Sequence, residues 1–185
     1  MINKTLELLD QRRSHRAYKK TPLTDEQIDA LVYAGISSPS ANNHQPWHFT
    51  VVKNQELLNE INQEACNNVM RLPEASRNAR FVDPDFRIFY HAPAVIFISV
   101  INQPGKKLDC GIAVQSIAIA AQSLGLGSVI LGLPNFAFQG DKKEAFEKAL
   151  HFANNYEFAI AIAVGHPDDE KDAPVRDYQK ISFVD

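Results

Sequence analysis

Sulfur is scarce in this sequence: two cysteines, Cys66 and Cys110, and two methionines among 185 residues. Two cysteines so far apart make neither a disulfide framework nor a Cys-x-x-Cys site. Charge of one sign is scarce too. Nineteen Lys and Arg against 22 Asp and Glu leave a formal charge of −3 and a pI near 6.1. That balance gives no support for a nucleic-acid or anionic-membrane partner. The longest apolar run, Ala92 to Ile101, is too short to span a bilayer. Internal repeats, low-complexity tracts, a Gly-x-Ser-x-Gly elbow and a defensible Ser/His/Asp order are all missing. The first residues, Met1-Ile2-Asn3-Lys4-Thr5-Leu6-Glu7, are polar where a signal peptide needs an apolar stretch. A cytoplasmic protein is therefore expected.

What is present is an ordinary globular composition, 45% apolar and 22% charged. The length suits one domain over 1–185, with a hydrophilic tail from 165 that must lie on something else. Leu6, Leu8 and Leu9 predict a short first helix. Thr24 and Gln27 form a capping box for a helix carrying Ile28, Leu31 and Val32 and ending near Gly35. Trp47 to Lys53 alternates like a half-buried strand. Asn54 caps a helix whose apolar residues run from Leu57 to Val69. Periodicity fails from Leu72 to Phe89, which reads as a mobile loop or lid. Ala94 to Val100 is a central strand, Asp109 to Leu124 an apolar helix rich in alanine, and Val129 to Leu133 and Phe158 to Val164 are buried strands. An amphipathic helix covers Lys143 to Leu150, and Ile181 and Phe183 alternate again near the end. The whole predicts a mixed α and β domain.

Two segments carry the chemistry. Arg12-Arg13-Ser14-His15-Arg16 places three guanidiniums and a hydroxyl within five residues, a natural site for a dianion. The bland alternative is a basic helix end offsetting exposed carbonyls. That explains Arg12 or Arg13 better than it explains Ser14 and Arg16. Pro39-Ser40-Ala41-Asn42-Asn43-His44-Gln45-Pro46-Trp47 holds amide and hydroxyl side chains between two prolines, in a rigid non-helical course. Together the segments point to a phosphorylated heterocycle. Other motifs read as structural. Gly125-Leu126-Gly127-Ser128 follows a helix and precedes a strand, the reverse of a dinucleotide loop, so it is a helix C-cap and a close backbone approach. His44 and His48 have helical metal spacing, but Pro46 lies between them and a third ligand is missing. Cys110 reads as a buried inert thiol, and Asp168-Asp169-Glu170 as a solvated turn.

In order along the chain, Arg12-Arg13-Ser14-x-Arg16, Pro39-Ser40-Ala41-x-Asn43-x-Gln45-Pro46-Trp47, Asp109, Gly125-Leu126-Gly127-Ser128 and Gly165-His166-Pro167 with Arg176 resemble the flavin-dependent nitroreductase family. The resemblance implies an α+β fold, an α/β/α sandwich around a mostly antiparallel sheet. It implies an intertwined homodimer that exchanges its C-terminal strand and binds FMN at the subunit interface. By motif, Arg12, Arg13, Ser14 and Arg16 would hold the phosphate and ribityl chain, joined by Arg176. Pro39, Ser40, Asn42 or Asn43, and Gln45 would line the flavin from the other subunit. Leu131 and Gly132 match the backbone that lies against the ring. Leu131-Gly132-Leu133-Pro134 stands where the well-known bacterial enzymes carry a glutamate-glycine pair.

The activity so implied takes hydride from NADH or NADPH to flavin N5 and reduces a small-molecule acceptor, such as a quinone or nitroaromatic, on the same face. One site serving both in turn gives ping-pong kinetics, and no side-chain nucleophile is needed. Phe81, Phe86 or Phe89 would stack over an aromatic acceptor. Two other classes fit the same residues: a flavin enzyme of different chemistry, such as reductive dehalogenation or FMN breakdown, and a non-enzymatic FMN-binding or storage protein.

Overall fold

The computed structural model describes residues 3–184 except 78. Its centre is a sheet of β1 (Trp47–Val52), β2 (Ala94–Ile101), β3 (Gly127–Leu131) and β4 (Tyr156–Gly165), in the order β1-β2-β4-β3 with every neighbouring pair antiparallel. β2 is buried from Ala94 to Val100. Its side chains alternate between two cores, Val95 and Phe97 on one face, Ala94, Ile96, Ile98 and Val100 on the other. On the first face Ile61 and Ala65 of α3 (Gln55–Met70), Phe146 of α5 (Lys143–Ala149) and Phe138 close the core. On the second, Leu31 of α2 (Asp25–Ile36) packs with Ala113, Ile117 and Ala118 of α4 (Lys107–Ser123). The expected α/β/α sandwich is the fold observed. Residues such as Ile61, Phe97 and Ile117 are fully buried, each contributing about 1.5–3 kcal/mol relative to an exposed side chain.

Local signals set the helix ends. The Thr24 side chain accepts from the Gln27 amide at 3.2 Å, and the Gln27 side chain accepts from the Thr24 amide at 2.9 Å, completing the capping box. Asn54 accepts from the amides of Glu56 and Leu57. α2 runs one residue past Gly35, which lies inside the helix because a Cβ there would approach Phe49 at 3.0 Å and Ile117 at 3.1 Å. After α4, Gly125 takes φ +70, the left-handed cap that the glycine pair predicts.

The 72–89 segment departs from the expectation of a lid. Short 3-10 turns at Glu74–Ser76 and Ala79–Val82 punctuate it, and Phe81, Ile88 and Phe89 are buried. The Ile88 amide donates to Asn62 Oδ1 at 2.9 Å. The aromatics look aperiodic because each is inserted into the core from a turn rather than from a helix. Phe81 packs edge-on against Phe86 and Phe136, and Phe89 against Phe97. Phe81 and Phe89 are therefore core residues and not a stacking platform; Phe86 alone of the three is half-exposed.

The tail is anchored at its start. Lys19 N donates to His166 O, Asp168 N donates to Ala17 O, and Tyr18 bridges Pro167, so 166–168 runs antiparallel beside 17–19. Beyond it the chain is exposed, with Val175 at 99%, Phe183 at 89% and Val184 at 96%. The alternation at Ile181 and Phe183 forms no strand within the described residues.

Candidate functional site

α1 (Lys4–Gln11) ends at Arg12, whose ψ of 129 turns the chain out of the helix. Arg13 Nη1 donates to the Asp10 carbonyl and, at 3.0 Å, to that of Arg12, so this guanidinium serves the helix end. Its Nε is buried without a hydrogen-bond partner. Ser14 then forms a parallel bridge with Ser128, and the His15 amide donates to the Ser128 carbonyl at 3.0 Å. A Cβ at Gly127 would fall 2.9 Å from the His15 ring. The close backbone approach expected of the glycine pair is therefore made to His15.

A cleft of about 230 Å³ opens here, lined by Arg12, Arg13, Ser14, Arg16, Lys171, Asp172 and Pro174. Partial burial, then the guanidiniums of Arg176 and Arg13, lower the pKa of Arg12 from its ordinary value. Like charges gathered in a partly buried cleft repel one another, and a bound anion removes that repulsion. The unsatisfied Arg13 Nε adds an orphaned donor to the same place. The donor set fits a phosphate. Arg16 is exposed; its Nη1 donates to Ser14 O at 3.3 Å and its guanidinium lies 6.0 Å from the Tyr90 ring centre.

The run read as a solvated turn holds a clamp instead. Asp169 Oδ1 accepts from His15 Nδ1 at 2.6 Å, and Oδ2 accepts from the Arg16 amide at 3.0 Å. Lys171 Nζ lies 3.2 Å from Oδ2. Partial burial pushes the Asp169 carboxyl up, but the bonds from Arg16, His15 and Lys171 outweigh it and hold the group below its ordinary value. Nothing local announces the His15–Asp169 pair, since its members lie 154 positions apart.

The proline-bounded loop, expected to be non-helical, holds one 3-10 turn at Ala41–Asn43 that is kinked at Asn42. Asn42, Asn43 and Gln45 have φ of 52, 54 and 45, a left-handed region that asparagine tolerates better than most residues. Ser40 Oγ accepts from the Gln45 amide at 2.9 Å, and Gln45 Nε2 donates to Asn43 Oδ1 at 3.2 Å. The Ala41 amide donates to Asp109 Oδ1 at 3.3 Å, tying the loop to the first turn of α4. Pro39, Asn42, Asn43 and Gln45 remain exposed, and Ser40 partly so. His44 meets Lys106 Nζ at 2.7 Å. Among the described residues no three ligating side chains gather for a metal. Cys110 is buried, and burial followed by Asp109 pushes its thiol up to about 12, which leaves it inert.

The two predicted halves of the site lie far apart in one chain. The register aligns Ser128 with Val164 and Ala94 at one end of the sheet, and Trp47 with Val100 at the other. Six residues of strand separate those ends, about 20 Å. Along α4, whose 17 residues run from the loop's anchor toward Ser128, the distance is about 25 Å. Leu131 and Gly132 close β3 about 10 Å from Ser128, Leu131 buried and Gly132 exposed. The arginine cluster and the β3 end share one side of the molecule. The Ser40 loop does not.

The model of the Nitroreductase family matches residues 9–166. A relative in Archaeoglobus fulgidus, provisionally named an NADH dehydrogenase/NAD(P)H nitroreductase, is 32% identical over 171 residues, 92% of this chain and 90% of that protein. The FMN reductase [NAD(P)H] of Bacillus subtilis is 30% identical, with 91% of this chain and 68% of that protein covered. A nitroreductase of Desulfitobacterium hafniense, crystallised with bound FMN, is 36% identical and superimposes over 100% of both chains with a TM-score of 0.94.

Proposed function

This chain belongs to the nitroreductase family, and on that premise we propose that it is an FMN-dependent oxidoreductase that uses NADH or NADPH to reduce small acceptors such as nitroaromatics and quinones. The observation that carries the reading is the cleft lined by Arg12, Arg13, Ser14 and Arg16, where burial and the guanidiniums of Arg176 and Arg13 disfavour the Arg12 charge and a phosphate would relieve it. Arg12, Ser14, Arg16 and Arg176 hold that phosphate, and Arg13 supports them from the helix end. Bound FMN supplies the two-electron chemistry. The exposed backbone at Gly132, beside buried Leu131, offers donors to a ring without a side chain in the way. Pro39, Ser40, Asn42 or Asn43, and Gln45 line the same ligand from a second copy of the chain, because their own copy holds them about 20 Å away. Phe86 and Tyr90, in edge contact at 6.0 Å, are the aromatic residues near Arg16 available to an acceptor.

A homodimer follows from that division of the site, with one folded unit per chain acting in the cytoplasm. No described helix is long and apolar enough to cross a membrane. Exposed apolar side chains stand on two helices in contact, Tyr33 and Ile36 on α2 and Leu108 and Ile112 on α4, where a second copy would cover them. One pre-formed site would serve hydride donor and acceptor in turn, so initial-rate plots at several acceptor concentrations should be parallel. The test is direct. The purified protein should carry or take up about one FMN per chain, as a pre-formed site does, and NADH or NADPH should bleach the colour until an acceptor restores it. A protein that ignores added FMN ends this reading, and one that binds FMN without bleaching is a flavin carrier instead.

A further inference from the structure

We propose that Asp169 is a positioning residue, which with His15 clamps the start of the tail onto the Ser14–Arg16 segment and so sets the affinity of that segment for the phosphate of FMN. The inference rests on the FMN reading above and names a residue outside its direct contacts. Asp169 engages the segment at two points, the His15 ring at 2.6 Å and the Arg16 amide at 3.0 Å, using both carboxylate oxygens. Those residues flank the backbone that presents Ser14 and the Arg16 side chain. Two further contacts brace the clamp. The Tyr18 hydroxyl donates to the His15 carbonyl at 2.8 Å, and Lys171 Nζ sits 3.2 Å from Oδ2. A Cβ on Gly127 would come within 2.9 Å of the His15 ring, so the glycine leaves the ring the room it occupies. His15 and Asp169 side chains are 14% and 16% exposed, which strengthens their bond relative to a surface pair. The same tail brings Lys171 and Pro174 to the cleft, and Arg176 into the field of Arg12. Asp169 therefore orders both walls of the cleft without reaching into it.

A charged hydrogen-bonding partner lost from a partly buried segment should weaken the dependent site by about tenfold. The experiment compares FMN with riboflavin, which lacks the phosphate, by flavin-fluorescence titration of full-length protein and its Asp169→Asn and Asp169→Glu variants. The clamp predicts about a tenfold loss for FMN in Asp169→Asn, unchanged riboflavin affinity, and recovery of much of the loss in Asp169→Glu. Equal losses for both ligands, or no loss for FMN, overturn it. Hydrogen exchange on the flavin-free proteins separates this result from the FMN reading. Loss of the clamp should speed exchange at the His15 and Arg16 amides in Asp169→Asn while β2 and β4 stay protected. If the wild-type protein binds no FMN, the functional reading falls, and faster exchange confined to 14–19 still supports the clamp. Unchanged exchange there removes it.

Discussion

Arg12 stands where partial burial and two neighbouring guanidiniums disfavour its charge, and the proposed anion site rests on that repulsion. A hydrogen bond to a charged group contributes roughly 1.5–3 kcal/mol. Arg12→Ala and Arg176→Ala should each weaken FMN binding by about ten- to a hundredfold, measured by fluorescence titration, with exposed Lys148→Ala as the unaffected control. Unchanged affinity in both arginine variants would return the cluster to the role of a basic helix end. At Asp169 the linkage with pH has a definite sign. Its carboxyl is held below the ordinary value by the Arg16 amide, His15 and Lys171. The stability it adds is therefore complete above the unfolded value, about 3.9, and is lost as pH falls through the folded value. Denaturant curves of wild type and Asp169→Asn should differ near neutral pH and draw together as pH falls below the unfolded value. The arginine cluster was legible in the sequence because its members are contiguous. Asp169 was not, since one acidic residue in an acidic run looks solvated until the fold brings His15 to it.

Elements were legible where their signals are local. The capping box at Thr24 and Gln27, the Asn54 cap and the apolar run of β2 each sit within a few residues and need no partner to be recognised. Thr24→Ala should cost about 1 kcal/mol in chemical denaturation; no change would mean that α2 is held by packing alone. The 72–89 stretch resisted the same reading. Phe81 and Phe89 enter the core from turns, so no period of 2 or 3.6 marks them as buried. The glycines after α4 had a readable role and an unreadable partner. Gly127→Ala drives a Cβ to 2.9 Å from the His15 ring, and the neighbouring backbone has little room to yield because Ser14 and His15 are bonded to Ser128. A loss of about 1–3 kcal/mol is expected, as for other overpacking. A variant as stable as wild type would show that His15 moves freely, against the clamp.

At the scale of the molecule, the proposed division of the site between two ends of the sheet was foreshadowed only by the order of motifs along the chain. Register makes it quantitative, because Ser128 and Trp47 belong to opposite edges and opposite ends. The outer part of the tail, with Val175, Phe183 and Val184 almost fully in solvent, is left largely uncovered by the described residues of its own chain. Strand addition to a second copy would bury it. Removing the residues after Asp172 should therefore reduce dimer stability and FMN content together, followed by sedimentation and absorbance. A truncated protein that stays dimeric and fully loaded would free the tail from both roles. The central claim is that each flavin is held by the arginine cluster of one chain and the Ser40 loop of the other, and mixing tests it most directly. One variant carries Arg12→Ala with Arg16→Ala, the other Asn43→Ala with Gln45→Ala, each chosen to bind FMN poorly alone. After subunit exchange, half of the dimers are mixed and each mixed dimer has one intact site, so FMN binding should return to about one quarter of the wild-type sites. Exchange verified by mass with no recovery of FMN would contradict the shared site.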